Sequence, residues 1–259
     1  MNPPTMRSIP GGELAMRDAR SGASRIATLR PFALAATPVT MWQYVALDET
    51  ARQGDVDDAS AHVPQHPVTW FDAVAWCNRA SDSAGLRPAY EIDGRHVRWD
   101  VASEGYRLPT EAEWEFACRA GISGPHYGEL AQIAWTILDE RDSPQPVARK
   151  AANDFGLHDM LGNVWEWCWN FADTARYADY RSLRGGGFAD PAWSVRASVR
   201  RGSAPDAVID DVGFRVARGA VGSSGSGAAQ GWSAEVDRRR ADVRGTLPVG
   251  WTPHRDLLS

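Results

Sequence analysis

The chain has 259 residues, enough for one large domain or two small ones, and either could bury a core. Hydrophobic residues make up 43% and charged residues 24%, with a net charge of −5 and both signs interspersed, which argues against a nucleic-acid-binding face. No run approaches the roughly 18 apolar residues of a membrane span, no apolar leader follows Met1, and three widely spaced cysteines (Cys77, Cys118, Cys168) build no disulfide framework, so a reduced, cytoplasmic protein is expected.

The 12 tryptophans and 24 glycines are out of the ordinary. Each tryptophan needs burial and a partner for its ring N–H, so this many predict a core with little regular secondary structure. In chain order, residues 8–38 alternate short apolar stretches with turn residues and read as strands. A first helix is expected from Thr40, where Thr40 and Gln43 have capping-box spacing. A polar loop over 54–67 precedes a second helix from Thr69, with Asp72 in its first turn. Asp93-Gly94 between alternating runs predicts a hairpin. A third helix should follow Thr110, whose box partner is Glu113. After Gly121 the chain is expected to be irregular for about a hundred residues. Residues 219–231 are Gly/Ser-rich and read as a flexible linker, and 232–259 as a C-terminal tail whose Arg238-Arg239-Arg240 run is a solvated face.

Three stretches carry a resemblance: Gly105–Gly121 (GYRLPTEAEWEFACRAG), Asn153–Trp167 (NDFGLHDMLGNVWEW), and Arg184-Gly-Gly-Gly-Phe-Ala-Asp190 closing at Val212-Gly-Phe-Arg215. Together they resemble the sulfatase-modifying-factor family, whose best-known member is the formylglycine-generating enzyme. The resemblance implies an α+β, irregular, loop-rich, C-type-lectin-like single domain over residues 1–218, with two main helices and small antiparallel sheets. It does not settle function, because related members oxidise a substrate cysteine with copper, act in siderophore biosynthesis, or only bind ligands.

The copper oxidases of the family carry one cysteine three residues after a Gly-Gly-Ser and a second five residues later. Here the serine position is Gly187, and the cysteine positions are Asp190 and Val195. Copper(I) favours soft thiolates, which a carboxylate and an isopropyl group cannot replace, so no copper is expected. The three cysteines lie among apolar or bulky neighbours and read as buried structural thiols. For iron, His62 and His66 have i, i+4 spacing, but Pro64 and Pro67 argue for a loop, and no carboxylate stands at facial-triad spacing.

The resemblance also implies a calcium position using the side chains of Asp159 and Glu166 and the carbonyls of Gly162 and Val164, an oxygen set that suits a hard cation. The alternative is that both carboxylates simply bond backbone amides. In the closing motif, Asp190, Trp193, Arg196 and Arg200 are candidate binding residues at the family's groove, since Trp and Arg are common anchors. For Arg196 and Arg200 the favoured reading is structural arginines bonded to carboxylates, and Trp165 reads as core. The expected function is a module that binds a peptide, protein or small-molecule ligand, with no nucleic acid or membrane partner. A non-haem metal-dependent oxygenase or biosynthetic redox enzyme is the alternative.

Overall fold

The computed structural model describes residues 3–17, 24–48, 56–172 and 180–241. Four strands come first: β1 (Met6–Ile9), β2 (Gly12–Arg17), β3 (Ser24–Leu29) and β4 (Phe32–Ala35), as the alternating pattern predicts. Three helices follow: the short α1 (Met41–Val45), then the two main ones, α2 (Trp70–Ser83) and α3 (Glu111–Arg119). All three begin in capping boxes, at Thr40/Gln43, Thr69/Asp72 and Thr110/Glu113, where each side chain bonds the other's backbone N–H. Between α2 and α3 lie the predicted hairpin, β5 (Tyr90–Asp93) and β6 (His96–Trp99), and the short β7 (Tyr106–Arg107).

Beyond α3 the chain is irregular, with a single turn α4 (Leu130–Ile133) and a 3-10 turn (Ile137–Asp139), until β8 (Trp165–Phe171), β9 (Arg181–Arg184), β10 (Arg200–Ser203), β11 (Val212–Gly213) and β12 (Ala217–Arg218). The last elements are β13 (Ala228–Ala229), β14 (Trp232–Ser233) and α5 (Ala234–Ala241). One four-stranded sheet has the order β1-β4-β12-β7, joining the ends of the domain; the other is β10-β9-β8-β11. The second departs from the antiparallel expectation: β11 runs parallel to β8, with Val212 opposite Trp165 and Gly213 opposite Glu166.

β8 is buried on both faces along six of its seven residues, which is why it reads as a continuous bulky run. The irregular core is held by indoles donating to groups of the loops and strands around them. Trp70 Nε1 bonds the Cys168 carbonyl at 3.0 Å, Trp167 Nε1 the Val68 carbonyl at 2.8 Å, and Trp114 Nε1 the Glu166 carboxylate at 2.7 Å. Cys77, Cys118 and Cys168 are all buried, and burial pushes their thiols up, far from the reactive range.

The Gly/Ser composition of residues 219–231 misleads about their structure. Instead of a free linker, the segment is seated on the domain through Val221 and Gln230, and the first part of the expected tail follows it through Trp232 and Asp237. Residues 242–259 of that tail, and the basic run's side chains, lie outside the described residues. No described helix is long and apolar enough to cross a membrane.

Candidate binding face at the closing motif

β9 ends at Arg184, which pairs with Glu166 at the start of β8, and Gly185-Gly186-Gly187 follow as a turn. Asp190 is the pivot of that turn. Its carboxylate accepts from the Gly187 N–H at 2.8 Å and from Trp165 Nε1 at 2.6 Å. Trp165, expected as core, is indeed buried, and it also orients the acidic side chain that replaces the first copper cysteine. Val195, at the second position, is fully buried in the apolar core. A thiolate pair is therefore replaced by one carboxylate already bonded to two N–H donors and one packed isopropyl group.

Asp211 completes this floor, and the sequence reading missed it. A Cβ at Gly187 would lie 2.5 Å from Asp211 Oδ2, so the side chain standing after β10 occupies the space above the glycine. A family serine at 187 would have to displace it. Burial raises the Asp211 pKa first and the neighbouring Asp190 adds to it, while Arg201 opposes both. The raised value means the folded protein holds this proton at pH values where the unfolded chain has released it. The cost is therefore absent below the ordinary aspartate value of 3.8 and grows as pH rises through the folded pKa. Asp211→Asn should accordingly raise the Tm at pH 7 and leave it unchanged near pH 3, as read by calorimetry; an equal gain at both values would show that charge is not the cause.

The four predicted binding residues separate. Trp193 is 70% exposed. Arg196 is exposed as well. Arg200 instead reaches Glu111 of α3, 2.8 Å away, and serves as a structural arginine. Asp190 faces inward as described. The structure adds neighbours that sequence spacing gave no reason to pair with them: the Ile137 N–H donates to the Asp190 carbonyl at 3.1 Å, bringing a 3-10 turn against the loop that carries Trp193. Ile137 and Leu138 on that turn are 52% and 77% exposed.

The four residues of the expected calcium position have unequal partners. Glu166 is buried and accepts from Arg215 Nε and Nη2, both at 2.7 Å, and from Trp114 Nε1. Asp159 is also buried, in a left-handed conformation (φ 52°), and accepts from the Ala148 N–H at 2.7 Å. No cationic side chain bonds its carboxylate among the described residues, and burial raises its pKa. Oxygen chemistry at Asp159 and the two carbonyls suits a hard cation, whereas Glu166 is already balanced by Arg215. No group of three or more His, Cys, Asp or Glu side chains arranged for a metal occurs among the described residues. His62 and His66 lie in a loop, and His66 Nδ1 approaches the Asp210 carbonyl at 2.7 Å.

Fold and site together define a formylglycine-generating-enzyme-like, C-type-lectin-like domain whose copper positions carry no thiol. The chain belongs to the sulfatase-modifying-factor family: its family model, the Sulfatase-modifying factor enzyme 1-like domain, matches residues 1–220. The chain is 31% identical over 268 residues to the bovine (Bos taurus) "Inactive C-alpha-formylglycine-generating enzyme 2", covering 83% of this chain and 88% of that protein. It is also 31% identical over 287 residues to the Streptomyces coelicolor formylglycine-generating enzyme, covering 85% and 91%. Among solved structures, Treponema denticola variable protein 1 superposes with a TM-score of 0.73 at 24% identity, covering 82% of this chain and 94% of that one, which bears on fold alone. CarF matches with a TM-score of 0.67 at 26% identity, covering 83% and 98%.

Proposed function

We propose that this domain is a non-catalytic member of its family that binds a peptide, protein or small ligand on the face formed by the Asp190–Arg201 loop and the Ile137–Leu138 turn, with Trp193 as anchor. The observation that carries the reading is the content of the former copper positions. Asp190 is satisfied by Trp165 and Gly187, and Val195 is core, so the residues that remain have a structural use and no redox one. Relatives at equal identity are named as a formylglycine-generating enzyme and as an inactive one, so the identity of these residues, not overall similarity, supports the choice. An exposed tryptophan on a loop that is hydrogen-bonded to a turn carrying two exposed aliphatic side chains has the character of an interaction hot spot.

A structural calcium ion is part of the same proposal, held by Asp159 and the Gly162 and Val164 carbonyls, while Glu166 stays with Arg215. It would neutralise a buried carboxylate and pin the loop, and would supply no redox chemistry.

One set of measurements tests both statements. A photo-crosslinking residue at Leu138, exposed on the same face, should capture a partner in the native extract, whereas the same residue at Ile92, exposed on the β5–β6 hairpin, should not. Trp193→Ala should then weaken the captured partner's affinity about 30-fold or more. Metal analysis of protein purified without chelator should show no stoichiometric copper or iron, and calcium added to chelator-treated protein should raise its Tm. Stoichiometric copper or iron overturns the binding reading in favour of a redox enzyme, and an unchanged Tm removes the calcium.

A further inference from the structure

The match to the family ends at residue 220, yet the chain continues as a segment that folds back over the domain. Val221 and Gly222 both donate backbone N–H to the Val101 carbonyl, at 2.9 and 3.0 Å. Two stronger attachments follow. Gln230, only 4% exposed, places its side chain between the β3–β4 turn and the start of α3. Its Oε1 accepts from the Arg30 N–H at 2.8 Å, while its Nε2 donates to the Arg30 carbonyl at 3.0 Å and to Glu113 Oε1 at 2.8 Å. Thr110 Oγ1 donates to the Gln230 carbonyl at 2.8 Å. Thr110 and Glu113 are the capping box of α3, and Glu113 also forms the fully buried bidentate pair with Arg107.

Trp232 makes the second attachment. Its ring packs against Trp99 and Trp169, with centroids 5.3 and 5.8 Å away. Its Nε1 donates to Asp237 Oδ2 at 2.6 Å, and the same oxygen accepts the Phe171 N–H at the end of β8, 3.2 Å away.

We infer that residues 221–237 are a clasp with two hooks, Gln230 and the Trp232–Asp237 pair, which closes the domain by tying the β3–β4 turn, the start of α3 and the end of β8 together. Composition explains why this is hidden in the sequence: glycine and serine supply the turns between anchor points, and four anchoring side chains in a polar segment do not alter its mean hydropathy. The physical case is that side chains forming several hydrogen bonds each, with buried partners from distant elements, are fixed only if the segment is fixed. Helix α3 transmits the consequence further, because its Glu111 holds Arg200 at the edge of the closing motif. Opening the first hook leaves the Glu113 carboxylate with one donor fewer beside a buried guanidinium. Opening the second uncovers the indoles of Trp99 and Trp169.

Two amides report on the two hooks separately, since Arg30 N–H bonds only the Gln230 side chain among these contacts and Phe171 N–H bonds Asp237. The experiment is amide-resolved hydrogen exchange on the full chain. Gln230→Ala should speed exchange at Arg30 about tenfold or more and leave Phe171 protected. Trp232→Ala should do the reverse and lower the Tm by about 6 °C or more. If Trp232→Ala does not fold, Gln230→Ala alone gives the reading. Unchanged protection at Arg30 in Gln230→Ala, with Phe171 and the Tm unchanged in any folded Trp232→Ala protein, would show that the segment is a free tail and overturn the inference.

Discussion

Replacing Arg215 with methionine should cost about 3–5 kcal/mol of folding stability, the range for breaking a fully buried ion pair by removing one partner. Arg215 and Glu166 are both inaccessible, and the guanidinium makes more than the pair. Its Nη1 donates to the Ala35 carbonyl at 3.0 Å, and its Nη2 to the His158 and Asp159 carbonyls at 2.9 and 3.1 Å. One side chain thus ties β4, the loop before β8, and β8 itself to the end of the closing motif. Burial works against the charged guanidinium, but Glu166, with Asp159 and Tyr127 adding to it, outweighs burial and raises the Arg215 pKa, so the guanidinium stays charged. Methionine leaves Glu166 charged, buried and bonded only by Trp114. Adding Glu166→Gln to Arg215→Met should recover part of the loss, because the amide removes the uncompensated charge and keeps an acceptor for the indole. Urea denaturation of the two variants measures both steps. A single-variant cost below about 1 kcal/mol would mean that the pair is solvated and that this account of the Phe214-Arg215 closure is wrong.

The second large effect is expected at Gly162. Its φ of 71° lies in the left-handed region, and a Cβ there would stand 2.1 Å from the Trp135 carbonyl oxygen. Backbone on both sides of the clash is pinned. The Asn163 N–H donates to that same carbonyl at 3.0 Å, and the Gly162 N–H donates to the Gly185 carbonyl at 3.1 Å. Gly162→Ala therefore adds strain at a positive φ to a contact that neither strand of chain can relieve, at about 3 kcal/mol or more in sum. The expected readout is a Tm lower by about 6 °C or more, with loss of the Trp135–Gly162 bridge that positions the Ile137–Leu138 turn. A fully stable alanine variant would place the loop elsewhere and dissolve the proposed face.

The neighbouring Asn163 shows why this loop is legible as a motif but not as a mechanism. It holds φ at 64° and pairs its side-chain amide with both backbone groups of Gln145, at 2.8 and 2.9 Å. Gly-Asn in sequence announces two left-handed residues well enough. Nothing in the sequence names Trp135 or Gln145 as the partners that require them. The same holds for the binding residues: Trp193 and Arg200 follow the same glycine turn, yet one is exposed and the other is drawn under the motif by a carboxylate 89 positions away.

What the sequence determined by itself was local or compositional. Thr40, Thr69 and Thr110 start helices because a capping box is an interaction across three residues and needs no tertiary partner. The hairpin at Asp93-Gly94 forms for the same reason. The loss of thiolates at 190 and 195 is a matter of side-chain identity alone. Tertiary structure decided where the remaining charges went. Asp211 reaches Gly187 only because β11 lies beside β8, Glu166 belongs to Arg215 because the same pairing sets Gly213 opposite Glu166, and a Gly/Ser-rich segment became a clasp because Glu113 and Trp99 stood ready to receive it. A buried carboxylate or indole must find a partner wherever the chain brings one, and that partner is a property of the fold rather than of the residue's neighbours in sequence.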